Sequence, residues 1–197
     1  MNVPIDFDAM LQSCAPAVHA STMRRLVEVE SSFNPYAIGV VGARLQRQPR
    51  TYQEALATII WLHAKGYNYS VGLAQINRYN FSTHGLTPAS ALLACPNLAA
   101  GAAILTDCFR RANSQDQPQA ALRAAFSCYE SGNFTTGFRD GYVQKIVAPQ
   151  HSAVARTPHQ AQRSNVARAA TEQPGSDAGE PRGTAPHLRT NRRRSIP

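Results

Sequence analysis

Apolar residues recur every three to four positions through most of the first 150 residues, the spacing that gathers them on one face of an α-helix. Residues 5 to 13 predict a short helix ended by Cys14-Ala15-Pro16. A second helix is expected from Ser21 or Thr22, either able to cap it, to about Ser32, where Pro35 biases Asn34 away from helical geometry. Residues 52 to 65 predict a third, with Leu56, Ile59, Ile60 and His63 on one side. Asn97 is read as the cap of a helix over 98 to 113, whose stripe is Leu98, Ala102, Leu105 and Phe109. Gly101 within that stripe permits another backbone to come close. Helices over 119 to 130 and 134 to 146 follow, separated by Gly132-Asn133. Two stretches break the helical period. YAIGVVGARLQRQPR, residues 36 to 50, alternates roughly and predicts a small hairpin or irregular lobe. GYNYSVGLAQIN, residues 66 to 77, predicts a loop followed by one helical turn.

Composition divides the chain near residue 150, because every Trp, Tyr and Phe lies at or before Tyr142. Residues 151–197 hold eight Arg against three acids, or +5 of the formal +8. A segment with so little to bury cannot offset its ordering entropy, so a mainly α domain over 1–150 and a disordered basic tail over 151–197 are expected. The Arg192-Arg193-Arg194 cluster is open to an acidic partner, a membrane or nucleic acid, with a solvated tail the plainer expectation. The first 150 residues carry twelve bases against nine acids and no basic recognition helix, which argues against nucleic-acid binding by the domain.

No run approaches transmembrane length. MNVPIDFDAM has acids where an export leader has a basic start and an apolar centre. Cys14, Cys95, Cys108 and Cys128 suit two disulfides. Cys95 and Cys108 flank most of one helix, whose ends lie about 20 Å apart at ~1.5 Å of rise per residue, so each is expected to pair elsewhere. The cysteine spacings contain no CxxC pair, and no histidine cluster accompanies them, so no metal is expected.

Candidate chemistry centres on LVEVESSFNPYAIG, residues 26 to 39. Glu28 looks back at Arg24 and Arg25 as a paired surface acid would. Glu30 shares a face with Leu26, Val27 and Phe33, and leans toward Met23. A carboxyl that loses hydration there has its pKa raised and keeps its proton, as the acid in glycosidic cleavage must. The helix also ends nearby, so a Glu30 that reaches out to water stays open. Among the other acids of the domain, Glu130 is nearest to pocket-like composition, and both a Glu30–Glu130 pair and one-acid catalysis are open. YNYSVGLAQINRYN (67 to 80), with Ser70, Gln75 and Asn77, and FSCYESGN (126 to 133), with Tyr129 and Asn133, mix planar hydrogen-bonding groups with aromatic rings. Sugars are held by such mixtures, although helix capping and core packing explain any single member. No GxSxG elbow, HExxH, phosphate loop or dinucleotide fingerprint occurs.

ESSFNPYAIG (30 to 39), SVGLAQIN (70 to 77) and AFSCYESGNF (125 to 134), with NLAAGAAIL (97 to 105) between them, together resemble the lytic transglycosylase family with a lysozyme-like fold. The likeness runs over roughly residues 10 to 147 and is greatest to the specialised branch that accompanies type IV secretion and conjugation machinery. It implies a single mainly α domain of the goose-type lysozyme or soluble lytic transglycosylase kind, with a small irregular or β-hairpin lobe and no cofactor. Peptidoglycan glycan strands are the implied substrate, secretion components the implied partners, and the periplasm the expected compartment, although no signal peptide is visible. Glu30 is implied as the sole catalytic acid/base, followed by Ser31. Ser70, Gln75 and Asn77 are implied cleft residues, Tyr129 the aromatic that positions the muramyl sugar, with Asn133 beside it, and Tyr142 the late tyrosine near the acid. The implied reaction cuts the β-1,4 bond between N-acetylmuramic acid and N-acetylglucosamine without water and leaves a 1,6-anhydro ring. A lysozyme-type hydrolase and a non-catalytic glycan-binding module are the alternatives.

Overall fold

Helix α1 (Phe7–Cys14) begins where Asp6 accepts the Asp8 N–H at 3.0 Å, and it buries Leu11. It packs against α2 (Ala20–Ser31). The cap of α2 is His19, not Ser21 or Thr22: the imidazole Nδ1 accepts the Ser21 N–H, since a ring lone pair can do what a hydroxyl oxygen does. At its far end Ser32 and Phe33 take φ of 51° and 63° ahead of Asn34-Pro35. The Phe33 ring meets Phe7 edge-on at 5.2 Å with the Arg24 guanidinium over both, which holds this unfavourable backbone in place. The computed structural model describes residues 6–112, 117–148 and, as backbone only, 188–190.

The expected hairpin is β1 (Ile38–Val40) and β2 (Ala43–Leu45), turned at Gly42 with φ 74°. Strand β3 (Tyr69–Val71) pairs with the other edge of β1, and β4 (Ile76–Asn77) with β3, all antiparallel. Residues 66 to 77 therefore hold two short strands instead of a loop and a helical turn, and the turn, a 3-10 one, follows at Arg78–Asn80. Strands of three and two residues are too short for alternation to register in sequence. Strand β5 (Leu188–Thr190) pairs with β2 in the register Ala43↔Thr190, so these three residues depart from the expected unstructured tail. The rest of that tail lies outside the described residues.

Helix α3 (Tyr52–Ala64) starts at Thr51, whose hydroxyl accepts the Glu54 N–H. It buries Ala55, Thr58, Ile59 and Leu62, while Ile60 is 56% exposed and His63 faces solvent. The buried face is thus rotated from the expected stripe, because apolar residues surround this helix and periodicity alone cannot choose among them. Helix α4 (Ala94–Arg111) begins before Asn97, which is a buried first-turn residue and not the cap. Leu98, Ala102 and Leu105 are buried as expected, but Cys108 replaces the exposed Phe109 at the end of the stripe. Helix α5 (Pro118–Ser131) opens on proline and closes on Gly132 at φ 76°. The expected last helix is two, α6 (Thr136–Arg139) and α7 (Tyr142–Val147), because Gly141 takes φ 77° between them.

The result is mainly helical with a small β lobe, and every described residue belongs to one compact unit. Disulfide Cys14–Cys95 ties α1 to α4, and Cys108–Cys128 ties α4 to α5. Cys95 and Cys108 do each pair elsewhere. No described helix is long and apolar enough to cross a membrane. Among the described residues no group of three or more His, Cys, Asp or Glu is placed to hold a metal ion.

Candidate active site

Glu30 lies in the last turn of α2, where burial of Met23, Leu26 and Val27 fixes how the helix is rotated. Glu28 goes the other way and pairs with Arg25 at 2.5 Å, while Arg24 pairs with Asp8 at 2.7 Å. The Tyr142 hydroxyl, from the first residue of α7, donates to Glu30 Oε1. Arg25 donates to the carbonyls of Lys145 (2.9 Å), Ile146 (3.0 Å) and Ala148 (3.0 Å), so an α2 residue grips the far end of α7. The middle and the end of α2 are thereby joined to the two ends of α7, which holds Tyr142 against Glu30.

Burial raises the Glu30 carboxyl from 4.5 to about 7. The Tyr142 hydrogen bond pulls it down in part, and the charge of Glu130 pushes it up. Burial and the neighbouring Glu30 charge raise the Tyr142 and Tyr129 phenols, so both remain hydrogen-bond donors.

Glu30 opens onto a cleft of about 190 Å³. One wall is the β lobe, with Ser70, Gln75, Ile76, Asn77 and Asn80; the other is helical, with Ile104 from α4 and Tyr129 and Glu130 from α5. Ser70, Gln75 and Asn77 of the lobe are each held by hydrogen bonds. Asn77 donates to Asn68 Oδ1 at 2.8 Å and to Ser70 Oγ at 3.3 Å, and accepts the Tyr79 N–H at 3.1 Å. Gln75, at φ 47°, donates through Nε2 to the carbonyls of Ala37 and Gly72, both at 3.0 Å.

Buried Asn97 joins α4 to the lobe. It accepts the Ala74 N–H at 2.7 Å and donates to Val71 O at 2.9 Å and Ala91 O at 2.8 Å. Gly72 is obligatory there: its φ is +80°, and a Cβ would lie 2.3 Å from Asn97 Nδ2. Tyr129 donates to Ala74 O at 2.6 Å beside Gly101, where an added Cβ would lie 2.7 Å from Ala74 Cβ. The close approach expected at Gly101 is thus that of α4 to the SVGLAQIN loop.

The fold brings Glu30, Ser70, Gln75, Asn77 and Tyr129 to one cleft, with Tyr142 directly behind Glu30. Ser31 and Asn133 do not line it. Ser31 Oγ donates to Val27 O at 3.1 Å, and Asn133 Oδ1 accepts the N–H groups of Thr135 (3.0 Å) and Thr136 (2.8 Å) at the entry to α6. Ile76 and Asn80, which also line the cleft, belong to the 67–80 stretch singled out in sequence, whereas Ile104 and the bridging role of Asn97 were not foreseen. Ile104 follows Gly101 by three positions on the same helix face, a signal that was available.

The model of the transglycosylase SLT domain matches residues 10–146, a span that contains every residue of the cleft and Tyr142. The chain belongs to the transglycosylase SLT family. This SLT chain is 54% identical over 151 residues to a type IV secretion system protein virB1 of Brucella abortus biovar 1 (strain 9-941), covering 73% of the chain and 63% of that protein. It is 42% identical over 153 residues to a protein virB1 of Rhizobium radiobacter, covering 76% and 62%. A protein virB1 of Agrobacterium fabrum (strain C58 / ATCC 33970) is 38% identical over 143 residues, covering 72% and 58%. The SLT chain therefore spans less than two thirds of the length of these curated relatives. No solved structure matches it significantly.

Proposed function

We propose that this SLT-family chain is a peptidoglycan lytic transglycosylase with a lysozyme-like fold of the goose-type or soluble transglycosylase kind. One observation carries the reading: Glu30 is desolvated, hydrogen-bonded by Tyr142, and opens onto a narrow cleft of fixed polar and aromatic groups. A carboxyl raised to about 7 can give a proton and take one back near neutral pH.

In the proposed reaction Glu30 protonates the oxygen bridging N-acetylmuramic acid and N-acetylglucosamine. The C1–O bond breaks with its electron pair passing to that oxygen, and the substrate's acetamido oxygen closes on C1. The C6 hydroxyl oxygen then bonds C1, the acetamido group is released, and the Glu30 carboxylate takes the hydroxyl proton. A 1,6-anhydro ring results and water is not consumed. Substrate participation removes the need for a carboxylate nucleophile. Tyr142 serves the middle of this cycle, because its hydrogen bond favours the ionised Glu30. Ser70, Gln75, Asn77 and Tyr129 hold the sugars.

The virB1 names of the relatives, one of them a type IV secretion system protein, support a role in opening the wall locally for a secretion apparatus. The periplasm is where this substrate lies and where disulfides persist.

Product analysis on purified sacculi tests the reading. Anhydro ends from the parent and none from Glu30→Gln are expected. Reducing ends would mean that water attacks in place of the C6 hydroxyl, as in lysozyme. Undiminished cutting by a folded Glu30→Gln would remove Glu30 from the chemistry, and no cutting by either protein would favour a glycan-binding module.

A further inference from the structure

Glu130 is the second acid of the cleft, and the reaction above gives it no task. It follows Tyr129 on α5, is solvent-exposed, and lines the same cleft of about 190 Å³ as Glu30. No hydrogen bond or ion pair engages its carboxylate among the described residues, in contrast to the surface acids Asp8, Glu54, Asp107 and Asp140, each paired with arginine. Among the described residues no Lys, Arg or His lines the cleft to balance it. The negative charge of Glu130 is therefore directed at whatever occupies the groove.

We propose that Glu130 is a working carboxylate of this site, whose charge faces the positive sugar centre that forms when Glu30 gives up its proton. The proposal rests on the transglycosylase reading of the cleft. Cleavage of the C1–O bond leaves positive charge at C1, and acetamido closure spreads that charge without removing it. A carboxylate lining the same cleft stabilises that charge without bonding to carbon, so Glu130 is not consumed. It has a second effect before the bond breaks. Like charges in one site oppose each other's ionisation, so Glu130 holds the proton on Glu30, in the direction burial also acts.

The other groups near Glu30 do not substitute for it. Tyr142 of α7 and Tyr129 of α5 are neutral donors. The charged groups of the adjoining elements lie outside the cleft, Asp8 of α1 held by Arg24, and Glu28 and Arg25 of α2 paired with each other. Ser70, Gln75 and Asn77 of the lobe carry no charge.

The test compares Glu130→Gln, Glu130→Asp and Glu30→Gln in the full chain. The readouts are kcat and KM for release of anhydro ends as a function of pH, and a 13C NMR titration of the Glu30 carboxyl. An exposed Glu→Gln change keeps the fold. Glu130→Gln should lower kcat roughly tenfold with KM little changed, a loss confined to the transition state. It should also move the alkaline limb of the profile and the Glu30 titration to lower pH, and Glu130→Asp should recover part of both. Unchanged kcat and an unmoved Glu30 titration overturn the proposal, as does a loss expressed only in KM, which would make Glu130 an ordinary binding group. Activity that survives Glu30→Gln would instead sink the transglycosylase reading itself, so the two failures are distinguishable.

Discussion

Tyr142 donates its hydroxyl proton to Glu30 Oε1 across 112 residues of sequence, and through this contact the last described helix acts on the acid of α2. Burial and Glu130 raise the proton affinity of Glu30, and the Tyr142 hydrogen bond lowers it. Removing the hydroxyl therefore has a definite sign. Tyr142→Phe should move the alkaline limb of the pH–rate profile upward, opposite to Glu130→Gln. It should slow cutting by roughly tenfold, the worth of one hydrogen bond to a charged group. A limb that moves downward would contradict the assigned role of Tyr142.

The same shift bears on stability. Between 4.5 and about 7 the folded protein binds more protons at Glu30 than the unfolded chain does, so stability falls as pH rises through this window. The loss is complete above it and is on the order of 3 kcal/mol. Glu30→Gln, which cannot ionise, should unfold at a higher temperature than the parent at pH 8 and at a similar one at pH 4. Calorimetry at both values checks this. Parent and variant that unfold together at pH 8 would show that Glu30 is well hydrated.

Asn97 gives a prediction about the frame of the site. Asn97→Ala would leave the Ala74 N–H and the carbonyls of Val71 and Ala91 without their buried partner. Stranded groups of this kind cost about 1–3 kcal/mol each before relaxation, so a loss of about 3 kcal/mol or more is expected in urea unfolding. Activity should fall as well, because Ala74 also accepts the Tyr129 hydroxyl. A variant with unchanged stability would mean that Asn97 does not hold the lobe to α4.

The disulfides should differ in worth. Cys14–Cys95 closes a loop of sequence separation 81 and Cys108–Cys128 one of 20. On the chain-entropy account the longer closure stabilises by about 1 kcal/mol more, so Cys14→Ser/Cys95→Ser should lower stability further than Cys108→Ser/Cys128→Ser. The short bridge immediately precedes Tyr129, however, and its loss should reduce activity more. Denaturant unfolding and rate measurements on both double variants decide the two orders separately.

The chain by itself determined what depends on near neighbours. Its helical periods located α1 to α5, the rough alternation of residues 36 to 50 marked the hairpin lobe, Gly132 marked the stop of α5, and the spacing of Glu28 and Glu30 separated a paired surface acid from one on an apolar face. The blocks around Glu30, Gln75 and Tyr129 carried the family, because each part of the cleft is built from residues close together in one segment, the end of α2, the turn between β3 and β4, and the end of α5.

Only the tertiary structure decided what depends on residues far apart. Periodicity left open whether Glu30 reached water, and a helix packed 112 positions later placed Tyr142 against it. Asn97 reads as a cap in sequence, yet its three bonds go to segments that fold back onto α4, and no local pattern records them. Ser31 and Asn133 sit in the right blocks but turn to nearby backbone groups, while Glu130, explicable as a helix-surface acid, faces the groove. Local propensity sets where helices and turns begin, but which face of an element meets which partner is set by packing against chain that sequence proximity does not reveal.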